Sequence, residues 1–228
     1  MASKKYKCPY CGKEFTKERT LQVHMCEPKR RYLQKDEKWV VNAFMVFQRF
    51  YQIHQKNSKT KTYDDFVGSP YYNAFVKFGR FIMHINPLYP DKYIDFVLKS
   101  KVKLDHWARD DLYEAYLIET LKAEPVESAL QRSIATMMDW AEEQNAQWAD
   151  YFRLVNTNRA VQHIQQGRIS PWLLLGCKAG KNLLQSLNDE QLQMVGRFIA
   201  PEFWTQRIKS SPADQLFVQE TAKEAKIE

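Results

Sequence analysis

Apolar positions fall into helical stretches separated by Pro, Gly and Asn. The segment 36–55, DEKWVVNAFMVFQRFYQIHQ, is strongly apolar and lacks Pro and Gly, which predicts one long helix. NSKTKT (57–62) predicts a loop. Ser69-Pro70 predicts an N-cap with Pro at the first helical position, and the helix then runs to about residue 85. NPLYP (86–90) is a break, and Pro90 opens the next helix. An amphipathic helix is predicted over 105–123, and Pro125 opens a long one that reaches about 155. NTNRAVQHIQQ stops at Gly167, Ser170-Pro171 repeats the Ser-Pro start, and Asn188 with Gln191 spells a capping box. PEFWTQRI is a short helix. From Ser210 the polar tail reads as loose or weakly helical. No strand pattern stands out beyond a small hairpin near the N-terminus. The expected fold class is an all-α helical body preceded by a small ββα module.

Composition supports a packed body. The 228 residues include 13 Phe, 12 Tyr and 6 Trp, enough aromatics for a core. Seven glycines are few for a turn-rich β-protein. No apolar run approaches the roughly eighteen residues of a membrane span, and MASKKYKC lacks the apolar stretch of a signal peptide. The expectation is a cytoplasmic protein without a membrane partner. The charge is uneven. Residues 1–38 hold eleven Lys and Arg against five acids, so +6 of the net +7 lies there. A basic segment on a near-neutral body points to a polyanion partner for that segment.

The same segment holds three of the four cysteines. Cys8, Cys11, His24 and Cys26 lie within nineteen residues. Thiolate and imidazole are the donors that zinc takes in a tetrahedral structural site. The two residues between Cys8 and Cys11 suit a tight knuckle, and twelve separate Cys11 from His24. Tyr6, Phe15 and Leu21 complete the spacing. This stretch, residues 6–28, resembles the C2H2 zinc finger family, with Cys26 as a variant fourth ligand. The resemblance implies a ββα finger, one structural zinc ion, and a miniature core of Phe15 and Leu21. It departs at HMC. Residues two apart on a helix point about 200° apart, so His24 and Cys26 cannot both reach one ion from a continuous helix. The helix is expected to end near His24 or Met25 and the chain to turn back. His54 is the alternative fourth ligand, from a separate helix.

In the family's DNA-reading members, helix positions −1, 3 and 6 touch bases. Here they are Lys17, Thr20 and Val23. With Arg19, and with Lys29, Arg30 and Arg31 as phosphate contacts, they form the expected nucleic-acid surface. DNA is preferred to RNA. Tyr32 and Trp39 are the aromatics best placed to stack bases. The resulting organisation is a finger at 1–28, a basic extension at 29–38, an all-helical domain at 39–209 and a polar tail at 210–228.

Catalytic signals in the body are thin. His106, Asp110 and Glu114 would share one stripe of the helix over 105–123, which suits metal binding or acid–base work but reads first as a solvated polar face opposite Trp107, Leu112 and Leu117. The carboxylates Asp110, Asp111 and Glu114 would be the site of a metal-dependent nucleic-acid enzyme. GCKAGK (176–181) lacks the order of a phosphate loop and reads as a helix break, with Cys177 a buried small residue. The tryptophans read mainly as core. In aromatic density, length and layout the whole chain resembles small regulatory or accessory proteins of large T4-type tailed phages. That implies the cytoplasm of an infected bacterium and work in transcription, replication, DNA processing or packaging. The expected function is a non-enzymatic, nucleic-acid-binding accessory protein whose helical body binds a protein partner. The alternatives are an adaptor or assembly protein that uses the finger as a docking knob, and the metal-dependent enzyme.

Overall fold

The computed structural model describes residues 5–55 and 59–227. The NSKTKT stretch therefore lies partly outside the described residues. The chain forms two compact units, 1–109 and 110–228.

The first unit opens with a two-stranded antiparallel hairpin, β1 (Tyr6–Lys7) and β2 (Glu14–Phe15), in which Tyr6 faces Phe15. Two short helices follow, α1 (Glu18–Val23) and α2 (Glu27–Leu33), then the long α3 (Lys38–His54). Helices α4 (Tyr63–Gly68), α5 (Tyr72–Ile85) and α6 (Pro90–Lys99) complete the unit, with a 3-10 turn at Leu104–His106. The main packing is α3 against α5. Buried positions on α3 are Val40, Ala43, Val46 and Phe47; on α5 they are Tyr72, Phe75, Phe78, Gly79 and Ile82. Each set follows the helical period and marks one apolar stripe. Gly79 lets the two backbones meet, since a Cβ there would lie 2.3 Å from the Trp39 carbonyl oxygen. Around this pair Phe66, Phe75, Phe78 and Trp107 pack edge to face, the arrangement aromatic quadrupoles favour.

The second unit holds α7 (Asp110–Ala123), α8 (Val126–Gln144), α9 (Tyr151–Leu154), α10 (Thr157–Gln165), α11 (Pro171–Gly176), α12 (Lys178–Ser186), α13 (Asp189–Ile199), α14 (Pro201–Ser210) and α15 (Pro212–Glu224). Its core is built on Trp172, Trp204, Tyr151, Leu117, Met137 and Ile164. Trp172 and Trp204 meet edge to face at 5.4 Å. Beside them the buried Glu124 carboxylate accepts both guanidinium NH groups of Arg132, whose Nε donates to the Gly167 carbonyl at 2.7 Å. A buried charge is tolerated where a partner and its hydrogen bonds travel with it.

The expected caps form. Asn188 and Gln191 make the reciprocal capping box of α13, and Ser170 accepts from the Trp172 amide at the start of α11. Cys177 is buried, as expected, and its Sγ also accepts from the Gly180 amide to open α12.

Several boundaries differ from expectation. The helix expected over 105–123 is broken, because Trp107 turns into the aromatic core of the first unit and its indole NH donates to the Val102 carbonyl. The helix expected from Pro125 to about 155 stops at Asn145, which adopts the left-handed conformation (φ 50°), one that Asn accepts at low cost. Pro70 sits in a turn before α5 rather than at its first position. Helix α4 falls outside the expected elements; Thr62 and Asp65 cap it reciprocally. The tail is helical in α15, with Val218 and Ala222 buried. Among the described residues no helix is long and apolar enough to cross a membrane.

Candidate metal centre

The finger is built from its turns. In the knuckle the Gly12 amide donates to the Cys8 carbonyl at 2.9 Å, and the Cys8 amide donates to the Lys13 carbonyl across the hairpin. Gly12 takes a φ of +72°, open to glycine without strain. Helix α1 ends at Val23. His24 is already extended (φ −67°, ψ 122°), and Cys26 is the residue that caps the start of α2, with Pro28 in its first turn. Two changes of direction around Met25 thus return the Cys26 side chain to the face that His24 occupies. This resolves the two-residue spacing in HMC that one helix cannot accommodate.

The four donor atoms lie within 4.8 Å of one another. Cys8 Sγ is 3.9 Å from Cys26 Sγ, and Cys11 Sγ is 3.3 Å from His24 Nε2. A tetrahedron with zinc bond lengths of about 2.3 Å to sulfur and about 2.05 Å to nitrogen has edges of about 3.8 Å (S to S) and about 3.5 Å (S to N). The Cys8–Cys26 and Cys11–His24 separations are close to those edges, the full set spreads up to 4.8 Å, and the soft donor set suits zinc. Cys8 is 2% exposed, Cys11 is open to solvent, and Phe15 packs on the His24 ring at 4.8 Å. Phe15 and Leu21 are only partly buried, so the miniature core over the site is shallow. A module with so little apolar burial depends on its ligands for stability. Among the described residues this is the one group of three or more His, Cys, Asp or Glu close enough to hold a metal. His54 does not join it; its Nδ1 bonds the Phe50 carbonyl on α3.

The finger is mounted on the helices behind it. Tyr10 of the knuckle packs on Tyr32 of α2 at 5.4 Å, and Tyr32 packs on Tyr63 of α4 at 5.7 Å. The Tyr32 hydroxyl donates to Asp64, and the Tyr63 hydroxyl donates to the Arg31 carbonyl at 2.8 Å. Burial pushes the Tyr63 hydroxyl's pKa well up. Arg31 is expected from sequence as a phosphate contact, but the structure turns it inward. It donates to the Val67 carbonyl and to Glu27, and it lies over the Tyr72 ring. Its hydrogen bond holds the Glu27 carboxyl below the usual range. Arg31 is therefore an anchor between α2 and α4. Tyr32 and Trp39, read as base-stacking candidates, are likewise engaged; Trp39 carries the Arg80 guanidinium over its ring.

The remaining candidates are outside. Lys17, Arg19 and Thr20 on the finger and Arg30 on α2 are exposed, while Lys29 is half-buried with its ammonium on the His24 carbonyl at 3.1 Å. Val23 is 74% exposed. The stripe of His106, Asp110 and Glu114 does not exist, because His106 lies in the 3-10 turn before α7 begins at Asp110. Glu114 is paired with Arg197.

No protein-family profile matches the chain, and neither does any curated protein or solved structure.

Proposed function

We propose that the protein is a non-enzymatic accessory or regulatory protein that binds DNA through a zinc finger of the C2H2 kind and engages a protein partner through its helical body. One observation carries this reading. The cluster of four zinc-type donors supports a metal-built finger that Tyr10, Arg31 and Tyr32 fix to the helices, with Lys17, Arg19, Thr20 and Arg30 left facing solvent. The cations would meet phosphates, and one finger would read about three base pairs. The zinc ion would supply cross-linking of the two turns rather than chemistry, since all four positions are protein ligands.

The test is binding of a fluorescent DNA duplex across a salt series. Replacing Lys17, Arg19 and Arg30 together by Ala should weaken binding and flatten the salt slope by up to about 2.7, at roughly 0.9 for each phosphate left without its cation. An unchanged slope and affinity would contradict the reading.

A second reading, the finger as a protein-docking knob, has its own support. Val23, Met25 and Leu33 are 74%, 58% and 63% exposed around the same short helices. It predicts tight binding to one protein and negligible DNA binding near physiological salt.

A further inference from the structure

Outside the finger, the first unit holds an aromatic cavity of about 300 Å³. Phe50, Phe75 and Trp107 line it and pack on one another with ring centroids 5.9 to 6.0 Å apart, Phe75 and Trp107 being buried beneath its surface. His54 stacks on Phe50 at 4.4 Å, and Tyr71, 56% exposed, stands on the lining beside them. One wall is the segment that leaves α6. Ser100, Lys101, Val102 and Leu104 line the cavity; Ser100, Val102 and Leu104 are half-buried, while Lys101, Lys103 and Lys99, the last residue of α6, are exposed.

Lys99 closes α6 and the chain leaves it extended at Ser100 and again at Lys103, so the three lysines stand within five residues on one exposed stretch. The segment is pinned along its length. Ser100 Oγ donates to the Val97 carbonyl at 2.6 Å and accepts from the Val102 amide, and the Trp107 indole donates to the Val102 carbonyl at 2.9 Å. The nearby acids do not cancel the row. Asp95, whose carboxyl Arg49 and then Lys99 hold below its usual range, is bound by both ends of the Arg49 guanidinium at 2.6 and 2.7 Å. Asp105 stands exposed after the third lysine, one acid against three cations.

A row of lysines suits a chain of phosphates. A cavity whose lining includes the exposed rings of Tyr71 and His54 suits an unstacked base. Together they are the two parts of a single-strand site: a charged track for the backbone and π-faces for the bases. A duplex keeps its bases stacked and cannot use the second part. We infer that the cavity bounded by Tyr71 and the Lys99–Lys103 row is a second nucleic-acid site that takes single-stranded DNA. This inference rests on the nucleic-acid reading above but uses none of the finger's residues.

The test uses the full zinc-loaded chain with labelled oligo(dT), an oligo(rU) of equal length and a duplex, each over a salt series. Changing Lys99, Lys101 and Lys103 together to Ala should flatten the single-strand slope by about 2, at roughly 0.7 per phosphate. Tyr71→Ala should weaken oligo(dT) about tenfold with the slope unchanged. Neither change should alter duplex binding, and circular dichroism should confirm the fold of each variant. If both bind oligo(dT) as the wild type does, the inference is overturned, whatever the finger variant does with duplex. If the finger variant leaves duplex binding intact while the lysine and Tyr71 variants lose oligo(dT), the finger reading fails and this one stands. Preference for oligo(rU) over oligo(dT) would contradict the assignment to DNA.

Discussion

At the scale of single residues, the chemistry with the clearest spacing is the most legible. Cys8, Cys11, His24 and Cys26 announce themselves, and the HMC spacing forces a helix end by local geometry alone. The side chains that tertiary structure redirects are not legible. Nothing in KRR distinguishes Arg31 from its neighbours until Val67 and Tyr72 surround it. His163 is a similar case. It lies on α10, half-buried, within 2.8 Å of the Tyr151 hydroxyl, and burial holds its pKa at about 4 against 6.5 in the unfolded chain. A depressed histidine is neutral in the fold, so its contribution is intact above pH 6.5 and is lost as pH falls toward 4. The expected loss is on the order of 3 kcal/mol. Urea unfolding at about pH 7.5 and about pH 4.5, on either side of the window this linkage sets, should show the wild type losing more stability than His163→Gln, which keeps an acceptor for Tyr151 but cannot titrate there. Equal losses would rule His163 out as a source of the pH dependence.

At the scale of elements, helices with strong start signals are readable and those ended by distant contacts are not. Asn188 with Gln191, Ser170-Pro171 and Pro90 each act through their own backbone neighbours, so the local sequence suffices. The break before α7 depends on Trp107 joining the core, and helical periodicity carries no sign of it. The close approach of α3 and α5 is also hidden until Gly79 is seen against Trp39. Gly79→Ala places a Cβ 2.3 Å from one backbone atom of α3 and 2.9 Å from another. Backbone cannot swing aside, so the helices must part, at a cost of about 1–3 kcal/mol or more. Gly196→Ala in α13 meets nothing within 4 Å and should instead stabilise by about 0.5–1 kcal/mol, the helical preference for Ala. Chemical denaturation of the pair decides it; a destabilised Gly196→Ala, or a neutral Gly79→Ala, would mean the packing is misread.

At the scale of the whole molecule, a small hairpin-and-helix module carrying a candidate metal site is held to helices that themselves have ample core. The two parts should therefore respond differently to metal removal. Helices α3 to α15 draw on buried aromatics such as Phe47, Phe75, Trp172 and Trp204, whereas the finger has Cys8 buried and little else. The most direct measurement is duplex DNA affinity, with far-ultraviolet circular dichroism in parallel, before chelation, after it, and after one equivalent of zinc is restored. Chelation should lower affinity at least about tenfold while most helical signal remains, and zinc should restore binding in wild type but not in Cys26→Ser. DNA affinity that is the same with and without zinc would contradict a finger-led DNA-binding protein.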